Sequence, residues 1–161
     1  LSKTHDYSQF HAAKLALFWN MEENNKLIKR VARRHGSAYA KLKPVDKANW
    51  KSLSLSHDHK EIVNLSNEKT VEIRAFRGSL NPYTIRACFS LSYLSWVYCR
   101  QENITVDDLT TRHLLDWCNQ SQKTRNPQIS YCWTHLRNYL VANKFFKNDE
   151  QNIELRPYVE K

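Results

Sequence analysis

The stretch NPYTIRACFSLSYLSWVYC, Asn81–Cys99, decides the fold. Pro82 suits the first turn of a helix, where its missing N–H costs nothing, and Ser79 or Asn81 can cap that turn. Beyond it Ile85, Phe89, Leu91, Tyr93, Leu94, Trp96 and Val97 make a broad apolar surface. Tyr83, Arg86, Ser90 and Arg100 fall at its margins or outer side. Two more helix-sized segments follow at short intervals. In the first, Thr110 is the expected cap and Leu114, Leu115, Trp117 and Cys118 the buried side. The second opens at Asn126-Pro127, with Ile129, Cys132, Trp133, Leu136, Leu140 and Val141 inward and Gln128, Tyr131, His135 and Asn138 on the other face. Three such segments predict a compact helical bundle over residues 79–161.

Upstream of Gly78 the pattern differs. From about Asp6 to His35 the apolar positions Tyr7, Phe10, Leu17, Met21, Ile28 and Val31 recur at helical spacing, interrupted by Lys14 and Asn24. Unbroken, about 30 residues would span roughly 45 Å, long for a small domain, so a break is expected near Asn24-Asn25 and a stop at Gly36. The second part of this run places Lys26, Lys29, Arg30, Arg33 and Arg34 around the stripe of Leu27, Ile28 and Val31. Between them the segments Glu61–Leu65 and Thr70–Phe76 alternate with period two, which predicts a β-hairpin near 61–76. The organisation read from the chain is a basic N-terminal helical region, 1–78, carrying that hairpin, and a helical domain, 79–161. The fold class is mainly α.

Composition bounds the function. Only two glycines and four prolines in 161 residues argue against a many-stranded barrel or sandwich. Net charge is +9, and residues 1–50 hold ten Lys and Arg against four Asp and Glu. A basic excess of this kind points to a polyanionic partner, because phosphates bound by Lys and Arg release condensed counterions; the alternative is a solvated basic surface. The absence of an 18-residue apolar window or a charged-then-apolar leader predicts an intracellular protein with no membrane partner, in cytoplasm or nucleoid if bacterial and in the nucleus if eukaryotic. Cys88, Cys99, Cys118 and Cys132 have no zinc-module spacing and are expected to be buried, reduced thiols. His57-Asp58-His59 reads as a polar loop in preference to a metal clip. No metal, cofactor or small-molecule substrate is implied.

The string Asn81 to Arg86, then Leu91, Leu94 and Trp96, then Ile104 to Thr110, Leu114-Leu115, Ile129 and Leu136 to Leu140, resembles the SAM-like core-binding domain of tyrosine recombinases, the phage integrase group. The likeness spans residues of about 79–150 and lies mostly in helix starts and core positions. It implies a helical domain arching over one side of duplex DNA, self-association on DNA, and a separate catalytic domain bearing Arg, His-x-x-Arg and a nucleophilic Tyr. No His-x-x-Arg occurs in this chain: His35 is followed by Gly-Ser-Ala, His113 by Leu-Leu-Asp and His135 by Leu-Arg-Asn. Strand cleavage by that chemistry is therefore not expected of it, and no catalytic residue is assigned. The chain is read as the core-binding portion of a recombinase or as a stand-alone DNA-gripping relative.

The residues themselves locate an interface with double-stranded DNA. Lys123-Thr124-Arg125 precedes the third helix of the bundle, where first-turn amides and the helix dipole favour phosphate. Gln128, Tyr131 and His135 extend from it along one face at three- and four-residue steps. Thr84 and Arg86, at the start of the first helix, match the family's other common contact region. Lys29, Arg30, Arg33 and Arg34 add a basic helix surface. Three rivals stand beside this reading. One is autonomous catalysis, for which Cys118 and His113 share no helical face. Another is a helical adaptor for acidic proteins. The last is a single-strand binder stacking bases on Trp19, Trp50, Trp96, Trp117 and Trp133, though at least the last three sit on apolar stripes. If the loop is a phosphate seat, Lys123→Ala combined with Arg125→Ala weakens binding to every duplex and lowers the salt dependence by about two ion equivalents at most; unchanged isotherms would refute it.

Overall fold

The computed structural model describes residues 8–34, 45, 47–55, 61–67, 70–122 and 126–148. It is mainly helical, with α1 at Gln9–Asn20, α2 at Asn25–Ala32, α3 at Pro82–Cys99, α4 at Thr111–Ser121 and α5 at Pro127–Ala142. Tighter helical turns occupy Glu22–Asn24, Lys47–Leu55 and Phe145–Asn148. Two short antiparallel strands, β1 at Val63–Asn64 and β2 at Glu72–Ile73, pair Val63 with Ile73 and Asn64 with Glu72. The expected hairpin is present, and β1 lies against α1, which supplies the packing partner that so short a ribbon needs.

The helix starts follow from their caps. Asn81 accepts from the backbone N–H groups of Tyr83 and Thr84, Thr110 from that of His113, and Asn126 from those of Gln128 and Ile129. Pro82 and Pro127 open the first turns of α3 and α5. The break between α1 and α2 falls where it was expected, at Glu22–Asn24, but Asn24 does not cap α2. The helix also stops before Gly36. Ala32 is its last residue, and Arg33 takes the left-handed conformation, with φ 55°, that usually falls to glycine. Gly36, Tyr7 and the His57-Asp58-His59 triplet lie outside the described residues.

The element at the centre is α1. Residues 12–20 are all buried, because the Lys47–Leu55 segment, α2, α3 and β1 enclose them from several sides. The interruptions at Lys14 and Asn24 are the polar ties of this packing. The buried Lys14 ammonium donates to the carbonyls of Gln101 at 3.2 Å and Ile104 at 2.7 Å, just past the C-terminal end of α3, where a cation and spare carbonyls match. The fully buried Asn24 carboxamide donates to the carbonyls of Phe18 and Leu109, and its oxygen accepts from the Thr111 hydroxyl. Trp19 donates from its indole to Ser95 on α3 at 3.1 Å and meets Phe76 edge-on. One hydrophobic core thus runs through residues on both sides of Gly78.

Within α3 the buried side is rotated from the expected one. Thr84, Ser90, Ser92 and Ser95 are buried, while Phe89 is 73% and Ile85 37% exposed. Small hydroxyl side chains let α1 and α5 approach closely, and two of the serines bond to backbone inside the core: Ser92 donates to Cys88 O and Ser95 to Ser92 O. In α5 Ile129, Cys132, Trp133, Leu136 and Leu140 face the core as expected, but Val141 is exposed.

All four cysteines are free and buried. Burial pushes the Cys88 thiol up to about 11, although the Arg33 charge acts against it, and raises Cys99 and Cys118 as well. A thiol held neutral reacts slowly, so at pH 8 the folded chain should consume Ellman's reagent far more slowly than the chain in denaturant; immediate reaction of several thiols would contradict this packing. Removing the Asn24 carboxamide orphans two buried carbonyls and the half-buried Thr111 hydroxyl, and Asn24→Ala should cost roughly 2–4 kcal/mol in denaturant melts. A cost below about 0.5 kcal/mol would show that the tie carries no stability.

Candidate nucleic-acid interface

Three elements meet at one concavity. The first turn of α3, the outward face of α5 and the C-terminal end of α2 bound an open groove of about 1270 Å³. Asn81, Tyr83, Thr84 and Arg86 come from the α3 end, and Ser130, Tyr131, Thr134, His135 and Asn138 from α5. Arg33 reaches it from α2 and Gln122 from the end of α4. None of the described lining residues is acidic, and no ion pair among the described residues involves Arg33 or Arg86. Their charges are therefore not neutralised by described carboxylates and face an open hollow. A concave wall of low dielectric concentrates such a field on whatever enters.

The α2 surface continues this basic character. Leu27, Ile28 and Val31 are buried, so helical periodicity turns Lys26, Arg30 and Arg33 outward along one side, with Lys29 half-buried beside them. At the far end the Lys26 ammonium sits over the Phe145 ring, 5.6 Å from its centroid. The left-handed turn at Arg33 then ends the helix and brings that side chain to the groove.

The expected interface residues divide among four situations. Arg33, Arg86, Tyr131 and His135, from three different elements, are brought together at the groove. Thr84 lines it too, but is only 4% exposed, so it shapes the wall more than it can offer a hydroxyl to a ligand. Gln128, Lys29 and Arg30 do not line the groove; the Gln128 amide is turned toward the Cys132 sulfur, 3.5 Å away. Arg34 is removed from it as well, since its guanidinium donates to the Arg74 carbonyl at 3.3 Å and pins the chain leading from the hairpin to α3. Lys123, Thr124 and Arg125 lie outside the described residues. At the start of α5, the N–H groups of Gln128 and Ile129 are already bonded to Asn126, which leaves fewer first-turn donors for a phosphate than an uncapped helix would have.

Several groove residues were not anticipated. Tyr83 was read only as margin or outer side and Asn138 only as outer face, Gln122 was assigned no place, and each is at the hollow. The signal in the sequence was the face itself: Thr134, His135 and Asn138 lie three, four and seven residues after Tyr131. Tyr131 and His135 are in contact, with ring centroids 4.4 Å apart and planes at 73°. The tryptophans, by contrast, do not form a surface platform. Trp19 and Trp133 are fully buried and Trp96 nearly so, and Trp50 and Trp117 pack partly buried against the core.

A second, apolar hollow of about 590 Å³ lies between β2 and α3, with Val71, Ile73, Phe76, Ile85 and Phe89 on its walls. Among the described residues no group of three or more His, Cys, Asp or Glu is placed to hold a metal ion, and no helix is long and apolar enough to cross a membrane. No family model, curated protein or solved structure matches the chain.

Proposed function

We propose that the chain binds DNA, using the groove between α3 and α5 together with the basic outer side of α2. The observation that carries this reading is the pairing of Arg33 and Arg86, contributed by elements more than fifty residues apart in sequence, at one hollow with no acidic side chain among its described lining residues. Arginine presents five donors in a rigid fork and holds its charge at any physiological pH, which suits it to phosphate. Lys26 and Arg30 extend the basic surface along α2, so a duplex lying across the groove would meet cations on its rim as well as within it. Phosphate contacts of this kind position the partner and carry no sequence information.

The finer form of the proposal is the SAM-like core-binding domain of a tyrosine-recombinase-like protein, gripping double-stranded DNA inside the cell and self-associating on it, with cleavage left to another domain. What supports it is the succession of capped helices at Asn81-Pro82, Thr110 and Asn126-Pro127 with the core positions between them.

The test is fluorescence anisotropy of a labelled random-sequence duplex against salt. Arg33→Ala combined with Arg86→Ala should weaken binding about tenfold or more at moderate salt and reduce the magnitude of the log–log salt slope by about two. Both side chains face outward, so thermal melts of the variant should match the parent. A variant that binds as the parent does, at every salt concentration, would remove the groove from the interface.

A further inference from the structure

A duplex is convex, and its base edges lie at the floor of grooves that a protein reads with an element that protrudes. The α5 face carrying Tyr131, His135 and Asn138 is the wall of a hollow instead. It suits something that enters the protein. A strand released from pairing has that property, because its bases can splay outward, stack on aromatic rings and offer their pairing edges.

The lining has the parts for such a strand. Tyr83 is 71% and Tyr131 55% exposed, two large rings that contribute little to the core and both line the groove, one from α3 and one from α5. His135 meets the Tyr131 ring from its edge or face at a steep angle and limits its swing. The carboxamides of Gln122 and Asn138 supply both donors and acceptors for a pairing edge. Arg33 and Arg86 remain for the phosphates. The volume, about 1270 Å³, exceeds the roughly 300–1,000 Å³ of sites that enclose one drug-sized molecule, so more than one nucleotide fits.

We infer that the groove takes up an unpaired stretch of strand adjoining a duplex, stacking its bases on Tyr83 and Tyr131, while the basic side of α2 holds the neighbouring paired region. This rests on the DNA-binding reading above and names the form of DNA it prefers. The discriminating experiment compares three labelled probes with the full chain: a blunt duplex, the same duplex interrupted by a short single-stranded gap, and the isolated strand. The gapped probe should bind about tenfold more tightly than the blunt one, the scale of one well-stacked base, and 2-aminopurine placed in the gap should lose fluorescence on binding. In Tyr83→Ala combined with Tyr131→Ala the ratio of gapped to blunt affinity should fall to about one, and Tyr131→Phe, which keeps the ring, should preserve it. Phe89→Ala, exposed but outside the groove, serves as the control that leaves the ratio unchanged. Equal affinity for gapped and blunt probes in the parent, or an undiminished ratio in the double variant, overturns this inference and leaves the duplex reading standing. Failure to bind any probe overturns both.

Discussion

The structure depends on enclosing α1. Nine consecutive residues of that helix, 12–20, are withdrawn from water, so it has no polar side along that length and cannot rest on the surface of anything. It must be surrounded, and the surrounding elements come from both sides of Gly78. Two polar ties set how they surround it. Lys14 binds the chain just beyond α3 and Asn24 the residues just before α4. A buried polar group is costly unless each of its bonds is made; with these two satisfied, the connection from α3 to α4 is held in one position over the N-terminal helices.

From that position the groove follows. Holding α3 against α1 also holds it against α2, where the Cys88 sulfur lies 3.7 Å from the Val31 carbonyl, and the same contact sets the end of α2 beside the first turn of α3. Arg33 and Arg86 become neighbours of one hollow for this reason, although no local feature of sequence connects them. The buried serines of α3 complete the arrangement by letting α5 approach, so that its outer face forms the other wall. Packing of the apolar interior therefore determines which charges share a surface.

The helices, their caps and the hairpin were legible in the sequence because each depends on nearby residues: an Asn before a Pro, a Thr whose hydroxyl oxygen accepts the N–H three residues on, alternation on either side of Ser66-Asn67. The rotation of α3 was not. Reading Phe89 as core and Ser90 as surface follows side-chain type, whereas the helix buries its small hydroxyls against two neighbours and leaves the phenyl ring outside. Lys14 and Asn24 looked like breaks in a stripe because their partners, eighty or more residues away, are invisible to local periodicity. The same limit explains the interface. The α5 face was recognisable from its own spacing, but the separation of Arg33 from Arg34, one at the hollow and the other bonded to Arg74, depends on a left-handed turn at a residue that is not glycine. Such a turn carries strain of order 1 kcal/mol, and only the tertiary contacts around the end of α2 offset it.

The all-round burial of α1 has a consequence for the order in which the chain is made. Asn20 leaves the ribosome 62 residues before Pro82, the first residue of α3, an interval of roughly 3–12 s at about 5–20 residues/s. Through that time the nascent segment has no complete sheath, and its leucines, Phe18 and Trp19 are open to any hydrophobic surface in the cell. Holdase chaperones that recognise short apolar runs would find their strongest binding window there, and the arrival of α3 with its serine-lined face would be the event that releases them.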